Sequence, residues 1–226
     1  MSDPAFWQTL RLTLAVGLTT TAILLLVGIP LAWVLAHKRF FAKRVVESVV
    51  LLPLTLPPTV LGFYLLLLLG QNGPLAQTFG FSWAFRFEGL VVGSVLFSLP
   101  FAVNGYREAF RALDPDLLQT ARTLGAGWGR VWFGVILPLT WPGILSGSIL
   151  AFAHTLGEFG VVLMVGGSIP GKTQMVSIYI YDQVQALRFE RAAEAAGVLL
   201  GISFALVYLV RTLEDVWRSR MPSSSR

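Results

Sequence analysis

The stretch Asp114–Pro138, DPDLLQTARTLGAGWGRVWFGVILP, interrupts an otherwise apolar chain. It carries Arg122 and Arg130, is broken by Gly125, and runs through Leu137-Pro138 into a new apolar segment. Charged, glycine-broken sequence leaves polar groups that hydrocarbon cannot satisfy, so it belongs outside lipid. The helix formers around Gly125 predict two short helices with a bend, lying on a membrane surface. A surface of that kind is one a soluble partner can grip.

The sequence on either side of this loop is membrane sequence. The chain is 55% hydrophobic and only 13% charged, with mean hydropathy +0.70; soluble domains carry about 25% charge. Absence of cysteine excludes disulfides and thiolate sites. The N-terminus lacks the basic region and cleavage site of a secretory signal, so it is expected to be retained. A crossing needs about 20 mostly apolar residues, and five segments qualify: Thr9–Ala36, Val45–Leu69, Leu90–Gly105, Val131–Ala153 and Ala195–Val210. The third is short. A sixth run, Phe159–Val165, is too short to cross and reads as a re-entrant or helix-end segment continuing the fourth span outward. The expectation is an all-α polytopic membrane protein of about five transmembrane helices, six if the 159–167 segment counts. One domain spans 1–218, with the surface loop at about 107–130 and a disordered tail at 219–226.

The net charge of +5 is explained by topology and does not call for nucleic acid. Lys38, Arg39, Lys43 and Arg44 crowd the first loop, Arg107, Arg111, Arg122 and Arg130 the third, and Arg211, Arg218, Arg220 and Arg226 follow the last span. The positive-inside rule then places these in the cytoplasm and the N-terminus outside. Trp7, Trp83, Trp128, Trp132 and Trp217 fall near the predicted interfaces; Trp141 lies deeper.

Pro57, Pro58 and Gly62 interrupt the second span, LLPLTLPPTVLG, after Pro53. Proline removes a backbone donor and kinks a helix, and broken helices either line a translocation path or are static kinks filled by neighbours. Pro30 and Pro100 read as simple kinks. In HTLGEFG, Gly157, Glu158, Phe159 and Gly160 form a second candidate for the path or gate. An ionisable group at membrane depth is a functional hypothesis by default; at the interface, Glu158 would instead be solvated or paired with His154 one turn earlier. Neither His37 nor His154 has partners at ligand spacing, so no metal site is expected.

Gly166–Thr173, GGSIPGKT, matches the phosphate-loop pattern, preceded by VVLMV and followed by IYIYD. The pattern has mechanical meaning only between a buried strand and a helix, and the sequence between Thr173 and Ile178 leaves no room for that helix. An external loop with a Pro-Gly turn fits better, followed by an amphipathic segment at Met175–Gln185, with Lys172 exposed. No hydrolase elbow or general acid/base pair is present. Moving a substrate suits this chain better than converting one.

At Gln119–Pro138 the sequence resembles the membrane subunits of binding-protein-dependent ABC importers, whose loop has the form E-A-A-x-x-x-G-x9-I-x-L-P. Here Ala121, Gly125, Leu137 and Pro138 match in register, while Gln119, Thr120 and Val135 depart conservatively. LLPLTLPPTVLGFYLL, ARTLGAGWGRVWFGVILPLTWPGILSG and FAHTLGEFGVVLMVGGSIPGKTQ are similar to the molybdate permease family, with sulfate permeases as relatives. The resemblance implies a type I ABC importer transmembrane fold and a homodimer in membrane lipid. It also implies two cytoplasmic ABC ATPase subunits, which hold the ATP and Mg, and a periplasmic molybdate-binding protein. This chain itself would bind no cofactor and be no enzyme. The coupling surface would comprise Leu117, Leu118, Gln119, Thr120, Ala121, Arg122, Thr123, Leu124, Gly125 and Ala126, with Leu137 and Pro138. In it Leu117, Leu118 and Leu124 supply an apolar face, Ala121 allows close approach and Arg122 meets an acidic groove edge. Cargo would be molybdate, with tungstate inseparable from it. The alternatives are a sulfate or thiosulfate permease and a stand-alone secondary anion transporter or channel.

Overall fold

A computed structural model describes residues 4–220, with side chains through Asp215. Every regular element among these residues is helical. The first is α1 (Pro4–His37), uninterrupted despite Pro30. At 1.5 Å per residue it is about 51 Å long, more than a hydrocarbon core requires. Its buried Thr9 and Thr13 hydroxyls donate to carbonyls one turn back, Thr13 to Thr9 at 2.9 Å, so these polar groups cost little inside the bundle.

Around α1 pack α5 (Phe87–Arg111) and α8 (Leu137–Gly157), and small residues set their spacing. A Cβ on Gly105 of α5 would lie 2.8 Å from the Gly147 Cα of α8, so the two backbones touch. Beside this crossing the fully buried Tyr106 presses on Gly28 of α1, and its hydroxyl lies 2.8 Å from Ser148 Oγ. Ser148 gives its own proton to the Ile144 carbonyl at 2.8 Å, so Tyr106 is the donor of the pair. The third span is not short: α5 covers 25 residues, beginning before the predicted start and running on to Arg111.

The second predicted span, Val45–Leu69, is not one helix. It divides into α2 (Lys43–Thr55) and α3 (Pro58–Leu69), with Leu56 and Pro57 extended between them. Pro53 is accommodated inside α2; the tandem prolines make the break, since the residue before a proline is driven out of the helical region. Among the described residues, five stretches are long and apolar enough to cross a membrane: Pro4–His37, Pro58–Phe79, Phe87–Arg111, Trp128–Gly157 and Phe189–Asp215. The second includes the short α4 (Pro74–Phe79).

Beyond α5 lies α6 (Pro115–Thr123), followed by α7 (Trp128–Val131). A π turn, Trp132–Ile136, joins α7 to α8 without interruption. Pro138 has no N–H to return to the preceding turn, and there the ladder widens so that Leu137 N–H reaches the Trp132 carbonyl. The expected second short helix of the loop is therefore the first turn of the fourth span.

Past Glu158 and Phe159 the chain resumes as α9 (Gly160–Gly166), then α10 (Val176–Gln185) and α11 (Phe189–Arg220). Position by position, α9 follows α5 in the direction α8 had taken, with Val161 against Gly93 and Gly166 against Leu90. It thus continues the line of the fourth span, but as a separate helix. The segment VVLMV is helical, so the phosphate-loop pattern lacks its strand. Its residues form a turn instead, in which the Ile169 carbonyl accepts from the N–H groups of Lys172, Thr173 and Gln174. Val176 N–H donates to Thr13 Oγ1 at 2.9 Å, tying α10 to α1. Of the expected tail, Ser219 and Arg220 are still helical, and residues 221–226 and the Trp217 side chain lie outside the described ones.

Candidate functional site: a loop helix and two meeting helix breaks

The loop begins at a sharp helix start. Asp114 caps α6, its carboxylate accepting Asp116 N–H at 2.9 Å, and Pro115 occupies the first turn, where its missing N–H costs nothing. The helix stops at Leu124, and Gly125 takes φ +80°, a left-handed conformation disfavoured for any residue with a Cβ. Nothing lies within 4 Å of a Cβ placed on Gly125, so the constraint there is the backbone alone.

The expected docking face divides in two. Leu117, Gln119, Thr120, Arg122, Thr123 and Leu124 are exposed, Leu124 by 82%. Leu118, Ala121 and Ala126 instead turn inward against the cluster holding Phe110 and Val131. Ala121, half-buried, packs within this chain on its inner side. Leu137 and Pro138 begin α8, Leu137 half-buried and Pro138 exposed.

An aromatic cluster, which the sequence reading missed, fixes the loop to the bundle. Trp33 of α1 stacks on His37 (3.9 Å between ring centroids) and meets Phe110 edge-on at 5.2 Å. It also meets Trp132 at 4.9 Å and Trp128 at 6.1 Å. A displacement of α6 and α7 therefore presses directly on the ends of α1 and α5. The one signal in the sequence was Trp33 one helical turn before His37.

At the other candidate region, the two helix breaks meet. A Cβ on Gly160 would fall 2.7 Å from Pro58 Cβ, and one on Gly62 would fall 2.7 Å from Met164 Cβ. Thus Pro58, Gly62 and Gly160, far apart in sequence, bring the starts of α3 and α9 together with no room for larger side chains. Pro57 and Gly157 flank this contact and are exposed, while Phe159 is half-buried against Tyr181 at 5.1 Å.

Glu158 is buried, with 3% of its surface exposed, and neither carboxylate oxygen has a hydrogen-bond partner among the described residues. The Ser94 hydroxyl lies beside it, also unpartnered, in a geometry short of a hydrogen bond. The Glu158 carbonyl accepts from the Ser177 hydroxyl of α10, which fixes the backbone at the break. Pairing with His154 does not occur. His154 Nδ1 lies 3.0 Å from Ser98 Oγ, and its ring stacks on Phe101 at 4.0 Å. Thr155 donates to the Ala151 carbonyl at 2.9 Å, so Ser98 donates to Thr155 and His154 Nδ1–H donates to Ser98. This buried polar chain along α5 and α8 was not foreseen, because Ser98 and Thr155 look like ordinary small residues in a span.

Membrane-length helices, two of them broken at a shared level, and an exposed capped helix beside the basic loops define an integral-membrane transport subunit. The chain belongs to the family of binding-protein-dependent transport system inner membrane components, whose family model matches residues 28–215. It is 47% identical over 203 residues to the molybdenum transport system permease protein ModB of Azotobacter vinelandii, covering 88% of this chain and 90% of that one. With ModB of Escherichia coli K12 the identity is 38%, over 98% of this chain and 96% of the other. The sulfate transport system permease protein CysW of Synechocystis is 33% identical, over 95% of this chain and 79% of its own length. Among solved structures, a bacterial ABC transporter that imports the acidic polysaccharide alginate superposes with TM-score 0.69 at 17% identity, covering 98% of this chain and 82% of that chain. The fold is that of type I ABC importer membrane subunits.

Proposed function

We propose that this chain is the permease subunit of an ATP-driven importer that moves molybdate, and tungstate as its near-isostere, across the inner membrane by alternating access. It acts as a homodimer. Two ATPase subunits engage the exposed side of α6 in the cytoplasm, and an external molybdate-binding protein docks at the opposite end, with the N-terminus outside and the C-terminus inside. The observation that carries this reading is the joint presence of the Gly125-terminated loop helix and the Pro58–Gly160 meeting of broken helices. The first gives a partner a handle rigidly attached to α1 and α5; the second gives the bundle a place where backbone can part.

A dianion cannot enter hydrocarbon unpaired, so it crosses in a hydrated path between the two copies, past Pro57, Pro58, Gly157 and Glu158. The cations are concentrated in the loops, which supports leaving anion selection to the binding protein. The 47% identity to a molybdenum permease favours molybdate; the 33% identity to a sulfate permease makes sulfate or thiosulfate the second reading. The test is ATP hydrolysis by the reconstituted complex with its binding protein. Stimulation by molybdate and not by sulfate is expected; the opposite preference would reassign the cargo, and anion flux without ATP would favour a stand-alone transporter or channel.

A further inference from the structure

A second charged feature lies outside the coupling and gate regions. At the turn between α1 and α2, Arg39, Lys43, Arg44 and Arg111 line an open cavity of about 510 Å³ together with Phe40, Phe41 and Glu47. Four cations face one carboxylate there, and that carboxylate is already engaged, Glu47 lying 3.2 Å from Arg107. Among the described residues no carboxylate pairs with Arg39, Lys43 or Arg44, and Arg111 has only the exposed Glu108 at 3.3 Å. Lys43 and Arg44 also stand in the first turn of α2, where the helix macrodipole disfavours cations. The cavity therefore carries positive charge that this chain leaves uncompensated.

Its surroundings are apolar. Phe41 is fully exposed and Phe40 partly so, at a turn next to the predicted membrane interface. From the cavity, Val45, Val49 and Leu52 form an exposed stripe along one face of α2, at the spacing of successive helical turns. Cations at one end and an unbroken apolar track leading from it match a phosphate headgroup with its acyl chains. An acidic protein surface would match the cations but would leave Phe41 and this track uncovered.

We propose that this cavity is a binding site for an anionic phospholipid, with the phosphate held by Arg39, Arg44, Lys43 and Arg111 and an acyl chain lying along Val45, Val49 and Leu52. The site joins the end of α1, the start of α2 and the end of α5, so an occupied site braces the basic end of the bundle from which α6 departs. It does not depend on which anion is transported.

The test is native mass spectrometry of the full transporter complex released from bilayers of mixed phosphatidylglycerol and phosphatidylcholine. The wild-type complex is expected to retain phosphatidylglycerol selectively. The exposed double substitution Arg39→Gln/Arg44→Gln is expected to weaken that retention roughly 30-fold, at about 1 kcal/mol for each basic residue near an anionic headgroup. Arg188→Gln, at the turn between α10 and α11, is expected to leave it unchanged. Equal retention by the double variant would overturn the proposal, as would an equal loss in the Arg188 variant. Displacement of the lipid by millimolar inorganic phosphate would also overturn it, since the site would then take a free anion.

Discussion

At Tyr106 and Ser148 the direction of one hydrogen bond decides what a substitution costs. Tyr106 donates and Ser148 accepts while spending its own proton on Ile144. Tyr106→Phe therefore leaves no orphaned donor and is expected to cost about 1 kcal/mol, whereas Ser148→Ala strands a buried phenol and is expected to cost about 1–3 kcal/mol. Thermal unfolding of the two purified variants checks the order; equal losses would contradict the assigned direction. Glu158 presents the reverse situation, a buried acid whose carboxylate has no hydrogen-bond partner among the described residues. Glu158→Gln is accordingly expected to keep or raise thermal stability while lowering uptake several-fold. Wild-type uptake in that variant would remove Glu158 from the working site.

Among the elements, the breaks are as informative as the helices. The tandem prolines made the interruption of the second span legible, and GEFG marked the one after α8. That the two breaks touch was not legible, because it depends on α3 and α9 packing together through Gly62 and Gly160. Likewise the Gly125 bend could be read directly, but the loop's apolar residues could not be sorted into inward and outward faces. Leu117 and Leu118 are chemically alike, and only the packing of Phe110 and Val131 distinguishes them. Gly160→Val tests the contact between the breaks. A side chain forced 2.7 Å from Pro58 overpacks the junction, at an expected cost of about 1–3 kcal/mol, and should block uptake while the partner ATPase still hydrolyses ATP. Unimpaired uptake would mean that the junction takes no part in opening.

For the whole molecule, composition and spacing made the membrane class, the five crossings and the surface loop readable, since each rests on local chemistry. What was hidden is the chain of packing contacts that lies between loop and breaks. It runs from α6 through Trp128 and Trp132 to Trp33 and Phe110, then along α1, α5 and α8 to Glu158. It is built from aromatic and small residues whose importance lies only in their contacts. In the proposed function, another protein's ATP hydrolysis enters this subunit through the α6–Gly125 loop. The most direct measurement is ATP-dependent molybdate uptake in proteoliposomes holding the complete transporter with Gly125→Val. A β-branched residue at φ +80° carries a penalty of roughly 1–2 kcal/mol, enough to displace the end of α6 while the spans remain inserted. Uptake is expected to fall at least about tenfold with the subunit still in the membrane; wild-type uptake, with the ATPase bound and coupled as before, would contradict the account.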